Sequence, residues 1–115
     1  MAETVPGGLS VANDVIADMA GYAALESYGV VGMAAPTLSD GIAKLLPANR
    51  LRRGIEVKMT DGGVHVDLYV VIEYGTNLAE VSRMLAEKVK FVLTDSAQLP
   101  VAGVDIHVQG IKVRN

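Results

Sequence analysis

The sequence has no cysteine and no tryptophan, and only one phenylalanine and four tyrosines. Without cysteine there is no disulfide framework, no thiolate metal site, no Fe–S cluster and no thiol nucleophile. With so few rings, an aromatic stacking platform for single-stranded nucleic acid is hard to assemble. No apolar run approaches the roughly 18 to 20 residues needed to span a bilayer. Met1-Ala2-Glu3-Thr4 lacks the basic start and apolar stretch of a signal peptide, and glycine is absent from position 2, where myristoylation needs it. Positive charge is also short. Ten Lys and Arg against thirteen Asp and Glu give a net charge of −3, which argues against broad binding to polyanions. The expectation is a cytoplasmic chain that does not insert into a membrane by itself and needs no cofactor or metal.

What is present is apolar and evenly punctuated. Half of the 115 residues are hydrophobic, enough for one domain spanning residues 1–115, with 1–8 expected to be flexible around Pro6-Gly7-Gly8. Ser10 reads as a helix N-cap. After it, Ala12, Val15, Ile16, Met19, Ala20 and Ala23 fall on one arc, and Gly29 stops the helix. Gly29-Val30-Val31-Gly32-Met33-Ala34-Ala35, closed by Pro36, reads as a buried strand. Ser39-Asp40 predicts a short helix reaching Leu45 and Leu46, followed by a basic loop that carries Arg50, Arg52 and Arg53.

The clearest local signal is a hairpin. Ile55, Val57 and Met59 alternate with polar residues, Thr60-Asp61-Gly62-Gly63 turns the chain, and Val64, Val66, Leu68, Val70 and Ile72 form the return face. Asn77 and Glu80 are a capping pair for a second helix with Leu78, Val81, Leu85, Val89 and Val92 as its buried stripe. A last strand alternates Val104, Ile106 and Val108 with Asp105, His107 and Gln109. The order is (β)αβ(α)ββαβ. It implies a two-layer α+β fold, a small mixed sheet packed by two main helices and one short helix.

Chemistry is sparse in this pattern. No serine sits in a nucleophile elbow, and no glycine run has a phosphate-binding signature. His65 and His107, with Asp67 and Asp105, have the residue types of a metal cluster or an acid/base pair. Lacking any recognised spacing, they read first as solvated residues of a sheet face. Lys44, Arg50, Arg52 and Arg53 are the sharpest charge feature and the candidate docking surface for an anionic partner. Around Val70, Val71 and Ile72 both faces of the strand turn apolar, so a covering helix or a second subunit is expected there, which makes these residues the candidate self-association patch. Gly29-Val30-Val31-Gly32 has the spacing of the G-x-x-G clamp of K-homology nucleic-acid-binding domains, the rival reading, but its two central residues are apolar.

Glu26-Ser27-Tyr28-Gly29-Val30-Val31-Gly32-Met33 resembles the alkaline-shock-protein family of bacterial envelope stress response proteins, especially its short YloU-like members. Gly8-Leu9-Ser10-Val11, Gly54-Ile55-Glu56-Val57, Val66 through Gly75 and Val104 through Ile111 follow in matching order and spacing. The resemblance implies a non-enzymatic cytoplasmic domain linked to alkaline stress and cell-envelope homeostasis. It also implies self-association, and protein partners such as a membrane-anchor protein or a fatty-acid-kinase-like enzyme. It supplies no catalytic residues.

Overall fold

A computed structural model describes residues 6–37 and 44–113, with side chains from residue 12 onward. Helix α1 runs from Pro6 to Leu25. Strand β1 (Val30–Met33) follows, then a 3₁₀ segment (Ala48–Gly54), strands β2 (Ile55–Thr60) and β3 (Gly63–Glu73), helix α2 (Leu78–Phe91) and strand β4 (Val101–Lys112). Both helices cover one face of a four-stranded sheet, as the α+β reading expects. No described helix is long and apolar enough to cross a membrane.

β3 organises the sheet. Its first half pairs antiparallel with β2 from Leu68 to Gly63, and its last turn of pairing, Val70 to Ile72, is antiparallel to β1. β1 and β2 therefore share one edge of β3, end to end. β4 runs parallel to β3 along the other edge, from Val64↔Val101 to Glu73↔Lys112. Parallel neighbours need a long crossover, and α2 supplies it. Val64, Val66, Leu68, Val70 and Ile72 point towards the helices and are 1% exposed or less. At about 25 cal/mol per Å² of buried apolar surface, this central row with α2 residues Val81, Leu85 and Val89 forms the main stabilising block.

Val70, Val71 and Ile72 are 0%, 3% and 0% exposed. They are therefore consumed inside the chain and offer no surface to a second copy. Val70 and Ile72 lie under the helices. On the opposite face, Gln109 Nε2 donates to the carbonyls of Ala35 (3.0 Å) and Pro36 (2.9 Å), drawing the segment after β1 across β3 towards β4.

Other expectations shift for local reasons. α1 already includes Pro6 through Ser10, so Ser10 is an interior residue and the Pro6-Gly7-Gly8 turn gives way to helix. Proline suits a first helical turn, where its missing N–H costs nothing. The buried face of α1 is Ile16, Ala17, Ala20, Ala23 and Ala24, whereas Val15 is half exposed. Alanine is apolar all around this wheel, so close packing chose the arc. The expected helix before Pro47 falls partly on residues 38–43, outside the described residues. At Leu45 and Leu46 the chain is extended, bridging Ala34 and bonding Met33 O through Leu46 N. Helical geometry appears instead in the basic stretch, as 3₁₀ turns kinked at Arg50 (φ −132°, ψ 20°). In the hairpin the positive angle belongs to Gly63 (φ +120°) and not to Asp61 or Gly62. Asn77 caps α2 as expected, its side chain accepting from Glu80 N at 3.0 Å.

Candidate functional site

Side chains alternate across a strand, so His65, Asp67 and Tyr69 of β3 share the face away from the helices. Which residues of β4 join them depends on register. One extra residue, Ala102, bulges from β4 between Val64↔Val101 and His65↔Gly103. It lets Val101 and Val104, three apart, both turn to the core. Asp105 and His107 consequently land opposite Asp67 and Tyr69.

The four titratable groups then interlock diagonally. His65 Nε2 donates to Asp105 Oδ2 at 3.0 Å, and His107 Nε2 donates to Asp67 Oδ1 at 2.9 Å. An ionised carboxylate only accepts, which fixes the proton on Nε2 in both rings. His65 Nε2 also lies 3.7 Å from Asp67 Oδ1. Asp67 is 8% exposed, the one charged residue buried among those described. Such burial is tolerated only with hydrogen bonds. The His107 ring stacks on Tyr69 with centroids 4.4 Å apart and planes 11° from parallel. Burial first, then the charges of Glu56 and Asp67 and a hydrogen bond to Glu56 at 3.4 Å, push the Tyr69 phenol upward. The sequence reading set these residues down as solvated sheet-face groups. The structure gathers them into one cluster, and residue types were the only signal, because the partners are forty positions apart.

The basic stretch is less uniform than its sequence. Arg52 is taken up by α1: its Nε and Nη2 bind Asp18 Oδ1 and Oδ2, each at 2.8 Å, and Nη1 lies 3.4 Å from Asp14. This bidentate pair holds Asp18 below the ordinary carboxylate range. Lys44, Arg50 and Arg53 are exposed. Beside the pair, a cleft of about 360 Å³ separates α1 from the 3₁₀ segment, lined by Ala17, Gly21, Tyr22 and Asn49 among others. Its two charged groups neutralise each other.

Gly29, Val30 and Gly32 are buried and β1 is paired to β3, so this G-x-x-G spacing makes sheet core and not a solvent-exposed clamp.

A family model described as alkaline-shock protein 23 family, cell envelope-related function, matches residues 1–113. The chain belongs to this alkaline-shock family. Within it, the chain is 37% identical over 110 residues to the uncharacterised protein YloU of Bacillus subtilis, covering 95% of this chain and 92% of that protein. It is 40% identical over 111 residues to the uncharacterised protein Spy1614 of Streptococcus pyogenes, covering 96% and 92%. YqhY of Bacillus subtilis is a more distant relative, at 27% identity over 110 residues. Among solved structures, the alkaline-shock chain is similar in fold to a cadmium form of the MamM CTD, with a TM-score of 0.50 at 10% identity, covering 89% of this chain and 96% of that one. A second MamM CTD structure gives the same TM-score at 9% identity, covering 88% and 98%. At such identities the likeness concerns the fold alone.

Proposed function

We propose that this alkaline-shock family member is a single-domain, non-enzymatic interaction module of cell-envelope homeostasis and the alkaline stress response. It works in the cytoplasm, near the membrane through a partner. The supporting observation is the outer edge of β4. Twelve residues, Val101–Lys112, pair with β3 on one side only, and among the described residues nothing pairs with the other side. Natural edge strands are usually blunted by proline or inserted charge. Here the stretch from Ile106 to Ile111 has no proline, lysine or arginine, and Val108, Ile111 and Val113 are 36%, 52% and 62% exposed. Such an edge suits strand addition by a second copy. Self-association therefore moves from the buried Val70 patch to β4. Docking to a membrane-anchor protein or a fatty-acid-kinase-like enzyme falls to Lys44, Arg50 and Arg53, with Arg52 committed to Asp18.

Light scattering on size-separated protein tests the reading. A dimer or larger assembly is expected at micromolar concentration, shifting to monomer in Ile111→Lys, which places a charge on the edge. A monomer at every concentration refutes β4 self-association. An assembly that Ile111→Lys leaves intact refutes the edge as its site.

A further inference from the structure

We infer that the polar face of the sheet is a binding site for a divalent first-row transition ion, with His65 Nε2, Asp67 Oδ1 and Asp105 Oδ2 as ligands. One ligand atom from each of the three residues lies within 4.8 Å of the other two. His65 Nε2 is 3.0 Å from Asp105 Oδ2 and 3.7 Å from Asp67 Oδ1. Metal–ligand bonds of about 2.0 to 2.2 Å require ligand atoms roughly 3 to 3.5 Å apart, so small side-chain adjustments close the set around an ion.

Charge balance favours the ion as well. Glu56, Asp67 and Asp105 stand directly opposite one another across β2, β3 and β4. Like charges in that relation repel. Among the described residues, the ion-pair partners of Asp67 and Asp105 are the two histidines alone, with no Lys or Arg in range. Lys58, opposite His65 on the same face, pairs with neither aspartate, and a divalent ion held between the two carboxylates offsets their repulsion. The mix of one nitrogen and two oxygens selects zinc and its transition-metal neighbours over calcium or magnesium, which prefer all-oxygen cages.

The surroundings have the form of a supporting shell. His107 binds Asp67 at 2.9 Å and is itself fixed by stacking on Tyr69, so the buried carboxylate is oriented from behind. Gly103 lies beside His65, where a β-carbon would come within 3.0 Å of Nδ1, so this glycine leaves the ring its place. Three protein ligands leave a coordination position for water or a partner's side chain. When the ion binds at Nε2 of His65, the ring takes the tautomer that carries its one hydrogen on Nδ1, and Asp105 turns from accepting that Nε2 hydrogen to binding the ion.

The test is calorimetric titration of the full chain, free of any affinity tag, with zinc chloride alone. The expected result is saturable uptake of one ion per chain, with a rise in melting temperature. Asp105→Asn and His65→Gln each weaken binding more than about tenfold, and His107→Gln weakens it by about 10- to 100-fold through the supporting shell. Asp105 is exposed, so its variant is expected to fold, with circular dichroism as the check. Absence of saturable uptake overturns the proposal. So does uptake that persists unchanged in the Asp105→Asn, His65→Gln double variant, which would mark adsorption elsewhere.

Discussion

Replacing Gly63 by alanine probes how the hairpin and the connection into β4 are locked together. Gly63 holds φ +120°, and a β-carbon there would lie 2.3 Å from the Pro100 carbonyl oxygen, whereas ordinary contact begins near 3.4 Å. The carbonyl must retreat by about 1 Å. That oxygen accepts the Val64 N–H at 2.8 Å, and Val64 is 1% exposed, so no water takes over. The backbone angle costs about 1 to 2 kcal/mol for a non-glycine residue. The stranded N–H costs about 1 to 3 kcal/mol more. The expected loss is about 2 to 5 kcal/mol, a large part of a typical stability of about 5 to 15 kcal/mol. Two neighbouring glycines serve as controls. Gly75 has φ +93° but open space around it, so Gly75→Ala carries only the angular cost. Gly62 has neither a positive φ nor a clash, its nearest contact being Ala102 at 3.5 Å. Gly62→Ala should therefore be neutral or stabilising by up to about 1 kcal/mol. Urea unfolding followed by circular dichroism reads all three as midpoint shifts at constant slope. If Gly63→Ala costs no more than Gly75→Ala, the contact with Pro100 does not constrain the chain and the reasoning fails.

Two further outcomes follow from the packing and the charges. Leu85→Ala removes a fully buried side chain from the α2–sheet interface and should cost about 2 to 5 kcal/mol; Leu78→Ala, at 38% exposure, should lose far less in the same urea assay. The Arg52 guanidinium lowers the Asp18 pKa, chiefly through their hydrogen bond. A depressed folded-state pKa contributes stability above the unfolded value, and that contribution fades as pH falls through the folded one. Arg52→Ala should therefore lower the melting temperature slightly at pH 7 and progressively less as the pH falls through the depressed pKa of Asp18; a loss that does not change with pH would mean that Arg52 acts by packing.

Much of the fold is legible locally. The Thr60-Asp61-Gly62-Gly63 turn between alternating strands, and Asn77 before an apolar stripe, each depend on neighbours a few residues apart. Both appear where those signals put them. The arc of α1 was legible in part: Ile16, Ala20 and Ala23 are buried and Met19 packs on the core as expected, but a helix rich in alanine does not define the edges of its buried face, so Ala17 and Ala24 join it and Val15 leaves it. Met59 alternates in phase with Ile55 and Val57 in the strand yet is 57% exposed, since alternation fixes a face and not whether a helix covers it. The candidate docking residues were named together as one basic loop. Only the approach of α1 separates Arg52, bound to Asp14 and Asp18, from Arg50 and Arg53.

The sequence by itself determined that this chain lacks thiol chemistry and has few aromatic rings, and that a hairpin and a capped helix must form, because composition and short-range periodicity settle such matters. Tertiary structure alone decided where the unused surface and the polar cluster lie. β4 joins β3 in parallel across a long connection, and one bulged residue at Ala102 shifts its register so that Asp105 and His107 meet Asp67 and His65. That register follows from which side chains the two helices bury, and no stretch of sequence around either histidine contains it.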